Sequence, residues 1–175
     1  MYGQRLEIGK CSENVLLLLF DRNDCLGLMY QLTMQAGHWP ELDLDAFCIF
    51  LAQRLKFGAL DLVTLVLSDD IFVQSLNAAY RGKNQPTNVL SFASDAEDEL
   101  GDVILALETI QREAINQDKA LEVHVKHLIL HSSLHLLGYD HETDAQAEEM
   151  ESLEIAILAE HGLPNPYDMI DMSTL

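Results

Sequence analysis

Apolar residues recur along the chain with two spacings, one typical of strands and one typical of helices. Alternating or continuous apolar stretches predict strands at 27–35, 62–67, 88–92 and 102–107. Spacings of three and four residues predict helices at 43–57, from 68 or 69 to 80, from about 108, from about 121 and from 143. An acidic loop at 95–99 is expected to join the last two strands.

Capping residues support two of these helices. Ser68 or Asp69 can accept a hydrogen bond from the first turn of the second helix, whose inward face is expected to hold Ile71, Phe72, Leu76 and Ala79. In the last helix, Thr143 and Gln146 form a capping box, and Gly162 with Pro164 supplies the stop. The core residues expected there are Met150, Leu153 and Ile157.

Strands and helices mix here without strict β-α-β alternation, which favours an α+β fold with a small mixed β-sheet packed with several helices. The 175 residues, 49% of them hydrophobic, suffice for one core, and no Pro/Gly/Ser-rich linker divides them. The longest apolar runs, 15–20 and 46–52, are too short to span a membrane and lack the basic flank of a signal peptide. We therefore predict one cytoplasmic domain without a membrane partner, and its three scattered cysteines fit a reducing compartment.

The charge is strongly negative and unevenly distributed. The net charge is −19, and residues 127–175 hold ten Asp and Glu but no Lys or Arg. Arg81 and Lys83, by contrast, lie in the acid-free segment 77–94. This distribution argues against tight, indiscriminate binding of nucleic acid, but it permits a small basic patch and an acidic exterior that attracts a basic partner.

The segment 131–141, HSSLHLLGYDH, has the spacing of a metal site. His131 and His135 are four residues apart, so on a helix they share one face and can bind one ion. Gly138 can end that helix in a left-handed conformation and return His141 towards the same ion. The alternative is a helix face that carries histidines without any metal.

Three histidines with one open position are typical of catalytic zinc. The cysteines lie far from this segment and form no CxxC pair, so a closed structural site is disfavoured. The spacing is that of the metzincin proteases, but Ser132 stands where those enzymes carry the glutamate that serves as base. Peptide hydrolysis by that route therefore lacks its base.

Two motifs resemble one family. The segment 131–141 resembles the HGxLHLxGYDH signature of the YbeY-type endoribonucleases, the metal-dependent rRNA maturation factors of bacteria. LNAAYRGKNQPTNVLSF at 76–92 and LGDVI at 100–104 resemble further motifs of that family, and the resemblance runs from about Leu28 to Tyr167. The chain departs from the pattern at Ser132, Asn88 and Ala93. On this basis 26–175 form the endoribonuclease domain and 1–25 an N-terminal extension.

The resemblance implies a single-strand-specific endoribonuclease that matures the 3′ end of small-subunit ribosomal RNA and acts in ribosome quality control. It implies one zinc ion on His131, His135 and His141, with Arg81 as a catalytic residue that offsets phosphate charge. Lys83 is a substrate-binding candidate and small-subunit ribosomal proteins are candidate partners. Metal-activated water and the RNA 2′-hydroxyl both remain open as nucleophile.

Each of these residues has a plainer interpretation. Arg81 could do no more than stabilise the C-terminus of its helix electrostatically, and Lys83 could be a solvated loop lysine. For the protein as a whole, the rivals are a metalloprotease or other zinc hydrolase and a non-catalytic ribosome assembly factor.

Three further polar residues lie near the 131–141 segment, and each has more than one possible role. His124 and His127 precede His131 on roughly the same helical face. They could contact RNA or lie in the layer of residues that surrounds the metal ligands. For His124 a solvent-facing position is favoured. Asp140 could orient a metal-bound histidine or cap the last helix.

Overall fold

The computed structural model of the chain describes residues 15–16, 30–57, 62–97 and 99–168. The start of the first predicted strand, at 27–29, lies outside these ranges, as do Cys11, Cys25 and most of the predicted N-terminal extension. The boundary predicted at residue 26 therefore stays a prediction.

Within the described ranges, one mixed sheet of five strands forms the centre of the fold. In chain order the strands are β1 Val15–Leu16, β2 Tyr30–Met34, β3 Leu62–Ser68, β4 Val89–Ala93 and β5 Glu99–Ala106. The spatial order is β1-β2-β3-β5-β4, in which β2, β3 and β5 run parallel while β1 and β4 are antiparallel edge strands. The sheet confirms the predicted α+β class.

In the part of the chain that the structure describes, five helices pack around this sheet. They are α1 Asp45–Arg54, α2 Asp70–Arg81, α3 Leu107–Asn116, α4 Leu121–Leu136 and α5 Asp144–Glu160. The predicted caps are confirmed, since the Asp69 side chain accepts the Phe72 N–H at 2.8 Å and Thr143 and Gln146 form the capping box. Among the described residues, no helix has the length and apolar character needed to cross a bilayer.

The two faces of the sheet bury different helices, because successive strand residues point to opposite sides. Val63, Leu65 and Leu67 of β3 face the larger core, which also takes apolar side chains from α1, α3, α4 and α5. Val66 faces the smaller core beneath α2. The strands β3 and β5 are therefore buried on both faces, as parallel strands usually are.

Two details of the predicted elements are wrong. Leu76 is buried and Phe72 packs against the core as predicted, but Ile71 is 78% exposed and Ala79 is exposed. The helix α2 buries Val73 and Asn77 in addition, so its buried face is rotated from the predicted one. The strand β5 begins at Glu99, three residues before the predicted start, so the acidic loop is shorter. Pairing with β4 continues to Ala93 and Gly101 because a glycine can hold the φ of +146° found there.

Candidate metal centre

The three predicted ligand histidines come together at the end of α4. Ring nitrogens of His131, His135 and His141 all lie within 4.8 Å of one another. The Nε2 atoms of His131 and His135, one turn apart, are separated by 3.1 Å. Two nitrogens that bind zinc tetrahedrally at about 2.0–2.1 Å lie about 3.3 Å apart, so this pair fits such an ion with little movement.

The turn after α4 places two of the ligands. The helix ends at Leu136, and Gly138 takes a φ of +92° while its N–H donates to the His135 carbonyl at 2.9 Å. This turn returns the chain towards His141, as the sequence predicted. It also brings the Tyr139 carbonyl to His135, whose Nδ1 donates to that oxygen at 3.0 Å. The Nε2 of His135 is thereby left for a metal.

A buried carboxylate on α5 lies behind His131. The Glu154 side chain is fully buried, and its Oε1 accepts a hydrogen bond from His131 Nδ1 at 2.8 Å. Its Oε2 accepts from His127 Nε2 at 2.9 Å and from the Tyr167 hydroxyl. Burial by itself raises the pKa of Glu154, but the hydrogen bonds from His127, His131 and Tyr167 outweigh it and lower the pKa to about 2. Glu154 is therefore a carboxylate at neutral pH.

The surroundings favour uncharged imidazole at His135. Burial, and then the proximity of His131, lowers the pKa of His135 below its usual value. A neutral imidazole keeps the lone pair that metal binding requires. Burial and the hydrogen bond to Glu154 raise the pKa of Tyr167, so its hydroxyl stays protonated and donates.

Sequence reasoning missed Glu154, although the chain carries a signal for it. Met150, Leu153, Ile157 and Leu158 form the apolar face of α5, and Glu154 lies in the middle of that face. An ionisable residue on an apolar stripe is rarely buried without a partner. The histidine-rich helix α4 offers ring N–H groups that can serve as that partner.

The expectation that His124 faces solvent is wrong. The exposed fraction of the side chain rises along α4 from 4% at His124 to 13% at His127 and 24% at His131. His124 Nε2 bonds to Glu113 on α3 at 2.8 Å. His127 shares the Glu154 carboxylate with the predicted ligand His131. This agrees with one of the two alternatives stated for His127, a supporting position next to the ligands.

Asp140 does not cap α5. Its carboxylate accepts the backbone N–H of His141 at 2.8 Å, while α5 is capped by Thr143. Ser132, one of the positions at which the chain departs from the family pattern, is 1% exposed and is not among the described residues that line the pocket beside the histidines.

A pocket opens next to two of the ligands. Its volume is about 240 Å³. The residues that line it are His131, His141, Ala147, Met150, Glu151, Glu154 and Tyr167. A molecule that reaches the metal position from this side would meet an apolar floor and an acidic rim.

Arg81 and Lys83 are not among the described residues that line this pocket. Arg81 is the last residue of α2, and Gly82 after it turns the chain with a φ of +68°. Both side chains are exposed. Among the described residues, no ion pair engages either of them. The structure thus brings the three histidines together, whereas the roles of Arg81 and Lys83 stay predictions.

Comparison with known proteins identifies relatives over most of the chain. The family model of endoribonuclease YbeY matches residues 43–162. A Magnetococcus marinus protein named endoribonuclease YbeY is 52% identical over 120 residues, which cover 60% of this chain and 82% of that protein. A Paramagnetospirillum magneticum protein of the same name is 50% identical over 147 residues, which cover 74% of this chain and 89% of that protein.

A solved structure shares the fold. The solution structure of a Thermotoga maritima protein matches with a TM-score of 0.55 and 23% sequence identity. The match covers 77% of this chain and 92% of that one. At this identity the likeness concerns the arrangement of strands and helices alone.

Proposed function

The chain belongs to the endoribonuclease YbeY family, and from this premise we propose that it is a zinc-dependent, single-strand-specific endoribonuclease. We assign it to ribosomal RNA maturation, at the 3′ end of the small-subunit RNA, and to ribosome quality control. The observation that carries the proposal is the convergence of three histidines whose neighbours leave Nε2 of His131 and His135 for one ion.

Zinc is the metal that this donor set fits best. All three donors are nitrogen, and three protein ligands leave a position open for water or substrate. When bound, zinc would polarise a phosphate oxygen or lower the pKa of a water molecule. The chain contributes the frame, since the rings are held by α4, by the turn at Gly138 and by Glu154.

Arg81 and Lys83 are the proposed contacts to the RNA backbone. Arg54, Arg112 and Lys126 are held in ion pairs with Glu160, Asp70 and Glu122. Arg81 and Lys83 have no such partner among the described residues, and they share the acid-free segment 77–94. A guanidinium with free donors can engage two phosphate oxygens and offset charge that develops during cleavage, so we propose Arg81 as the catalytic residue and Lys83 as a substrate contact.

A preference for single strands follows from the small size of this basic patch. A protein of net charge −19 cannot hold a stiff duplex by general attraction to phosphate. A single strand can bend so that one phosphate reaches both the metal and Arg81 while a neighbouring phosphate reaches Lys83. Duplex RNA is therefore expected to be cleaved more slowly.

The acidic C-terminal stretch, residues 127–175, offers a second kind of contact. Residues 127–175 carry ten Asp and Glu without any Lys or Arg. We propose that this surface meets basic small-subunit ribosomal proteins and that the protein acts in the cytoplasm, where ribosomes are assembled. Binding of this kind should weaken steeply as salt is raised.

The deciding experiment is cleavage of single-stranded RNA by protein loaded with one equivalent of zinc, with and without a chelator. We expect cleavage that the chelator abolishes and zinc restores, and we expect His135→Ala to lose both bound zinc and cleavage. Duplex RNA and casein are assayed in parallel. Hydrolysis of casein without action on RNA would support a protease instead, and zinc binding without any cleavage would support an assembly factor.

A further inference from the structure

Glu154 has more hydrogen-bond donors directed at it than its place on an apolar helix face explains. An ionised carboxylate offers about four lone-pair positions, and three of these are occupied by His127, His131 and Tyr167. The donors come from α4 and from the segment after α5. A buried charge of this kind is retained only where its partners hold it well.

The two carboxylate oxygens of Glu154 have different hydrogen-bond partners. The Oε1 atom faces His131 Nδ1 at 2.8 Å, while Oε2 is held by His127 Nε2 and the Tyr167 hydroxyl. With two donors on one oxygen, the carboxylate cannot rotate without breaking both bonds. The other oxygen is thereby kept in place as an acceptor for the His131 ring.

We propose that Glu154 is a positioning residue for the proposed metal ligand His131. Tyr167 supports this role, because its hydroxyl holds the Glu154 carboxylate in place. The hydrogen bond to Glu154 keeps the His131 proton on Nδ1, so the Nε2 lone pair points to the metal position. This inference rests on the proposed metal centre and extends it to the C-terminal segment. Such outer hydrogen bonds typically account for 10–100-fold in metal affinity.

The segment after α5 is anchored so that Tyr167 can play this part. The Lys119 ammonium donates to the Pro166 carbonyl, and Asn165 Oδ1 accepts the Tyr167 N–H at 3.0 Å. The Tyr167 ring packs edge-on against His127, with ring centroids 5.6 Å apart. These contacts place the hydroxyl beside Glu154 independently of any metal.

The test measures zinc affinity by competition with a chromophoric chelator, together with thermal unfolding of the zinc-free protein. We expect Glu154→Ala to weaken zinc binding about 10–100-fold. Glu154→Gln should lose less, because its amide oxygen can still accept one hydrogen bond. Tyr167→Phe keeps the ring and removes the donor, so it should show a smaller loss of zinc affinity with little change in folding.

Glu149→Gln is the matched control. Glu149 lies on α5 five residues before Glu154, its side chain is exposed, and it is not among the described residues that line the pocket. The variant removes the same charge from the same helix, so zinc affinity should stay within about twofold. Equal losses in Glu149→Gln and Glu154→Gln would show a general effect of charge and overturn the proposal.

A second measurement needs no variant. In the zinc-free wild-type protein at neutral or higher pH, nitrogen-15 NMR of the histidine rings should place the His131 proton on Nδ1. A proton on Nε2, or wild-type zinc affinity in both Glu154→Gln and Tyr167→Phe, overturns the proposal. If zinc also remains after His135→Ala, the proposed metal centre itself is wrong, which separates the two failures.

Discussion

Among the described glycines, Gly101 leaves the least room for a side chain. It lies in β5 opposite Ala93, with a φ of +146°. A Cβ atom there would lie 2.1 Å from the Phe92 carbonyl oxygen and 3.0 Å from Leu136 Cδ2. Because Leu136 ends α4, the missing side chain lets the histidine-bearing helix approach the sheet edge.

Gly101→Ala is therefore expected to destabilise the zinc-free protein by about 3 kcal/mol or more, since overpacking and an unfavourable φ add together. Urea unfolding measures this loss. Gly162→Ala is the control, because Gly162 also has a positive φ of +79° but nothing within 4 Å of an added Cβ. It should cost about 1–2 kcal/mol. Equal losses in the two variants would contradict the clash.

The proposed role of Arg81 can be separated from its structural role. Arg81→Ala should keep folding and bound zinc but lose about 100-fold or more in RNA cleavage, if the guanidinium acts mainly on the transition state. Lysine should restore only part of the rate, because it lacks the planar fork. Single-turnover cleavage of a labelled RNA measures the effect.

Arg54→Ala is the control for this variant. It removes the same charge from a guanidinium that is bound to Glu160. We expect it to leave the cleavage rate nearly unchanged. A folded, zinc-loaded Arg81→Ala protein that cleaves at the wild-type rate would remove Arg81 from the active site.

Among the elements, α5 supplies both Glu154 and the lower wall of the pocket. Its start is defined by the Thr143 capping box, two residues after the ligand His141. The Thr143 hydroxyl accepts the Gln146 N–H at 3.3 Å, and the Gln146 side chain accepts the Thr143 N–H at 3.0 Å. The same cap thus fixes the helix and the end of the loop that carries the third ligand.

Thr143→Ala should destabilise the protein by about 1 kcal/mol, because the first turn of α5 loses its side-chain acceptor. The midpoint of urea unfolding, measured without zinc, reports this change. Ser152→Ala, at an exposed position in the middle of α5, should be neutral or slightly stabilising. An unchanged midpoint in Thr143→Ala would mean that packing alone sets the start of the helix.

At the scale of the whole molecule, Glu113 connects three parts of the fold. Its Oε2 on α3 accepts from Asn88 Nδ2 just before β4, at 2.9 Å, and from His124 Nε2 on α4, at 2.8 Å. Burial raises the pKa of Glu113, but the hydrogen bonds from His124 and Asn88 outweigh it and hold the pKa below its usual value. This contact also explains why position 88 holds an asparagine. Its amide donates to Glu113, whereas an aspartate there would place a second carboxylate against that of Glu113.

A depressed carboxyl pKa gives a definite sign to the dependence on pH. The stability from Glu113 is fully present above the unfolded pKa, about 4.3, and is lost as pH falls through the lower folded value. Urea unfolding of the zinc-free protein between pH 7 and pH 3 should therefore show a steeper acid loss in wild type than in Glu113→Gln. Parallel curves for the two proteins would contradict this role.

Local features of the site could be predicted from the sequence because they depend on residues close together along the chain. The spacing of His131 and His135, the turn at Gly138 and the Thr143 cap each follow from helix geometry. Alternating apolar residues likewise located the strands β3 and β4 to within one residue. The family motifs added Arg81 as a proposed catalytic residue, which the helix boundary alone could not have singled out.

Only the tertiary structure decided which side chains lie behind the metal ligands. Glu154 meets His131 because α4 and α5 bury their apolar faces together, and no spacing along the chain encodes that contact. His124 is buried because α3 covers it, although its helical face continues that of the ligands. Burial depends on what packs against a residue, so a sequence pattern can predict a face but not its cover.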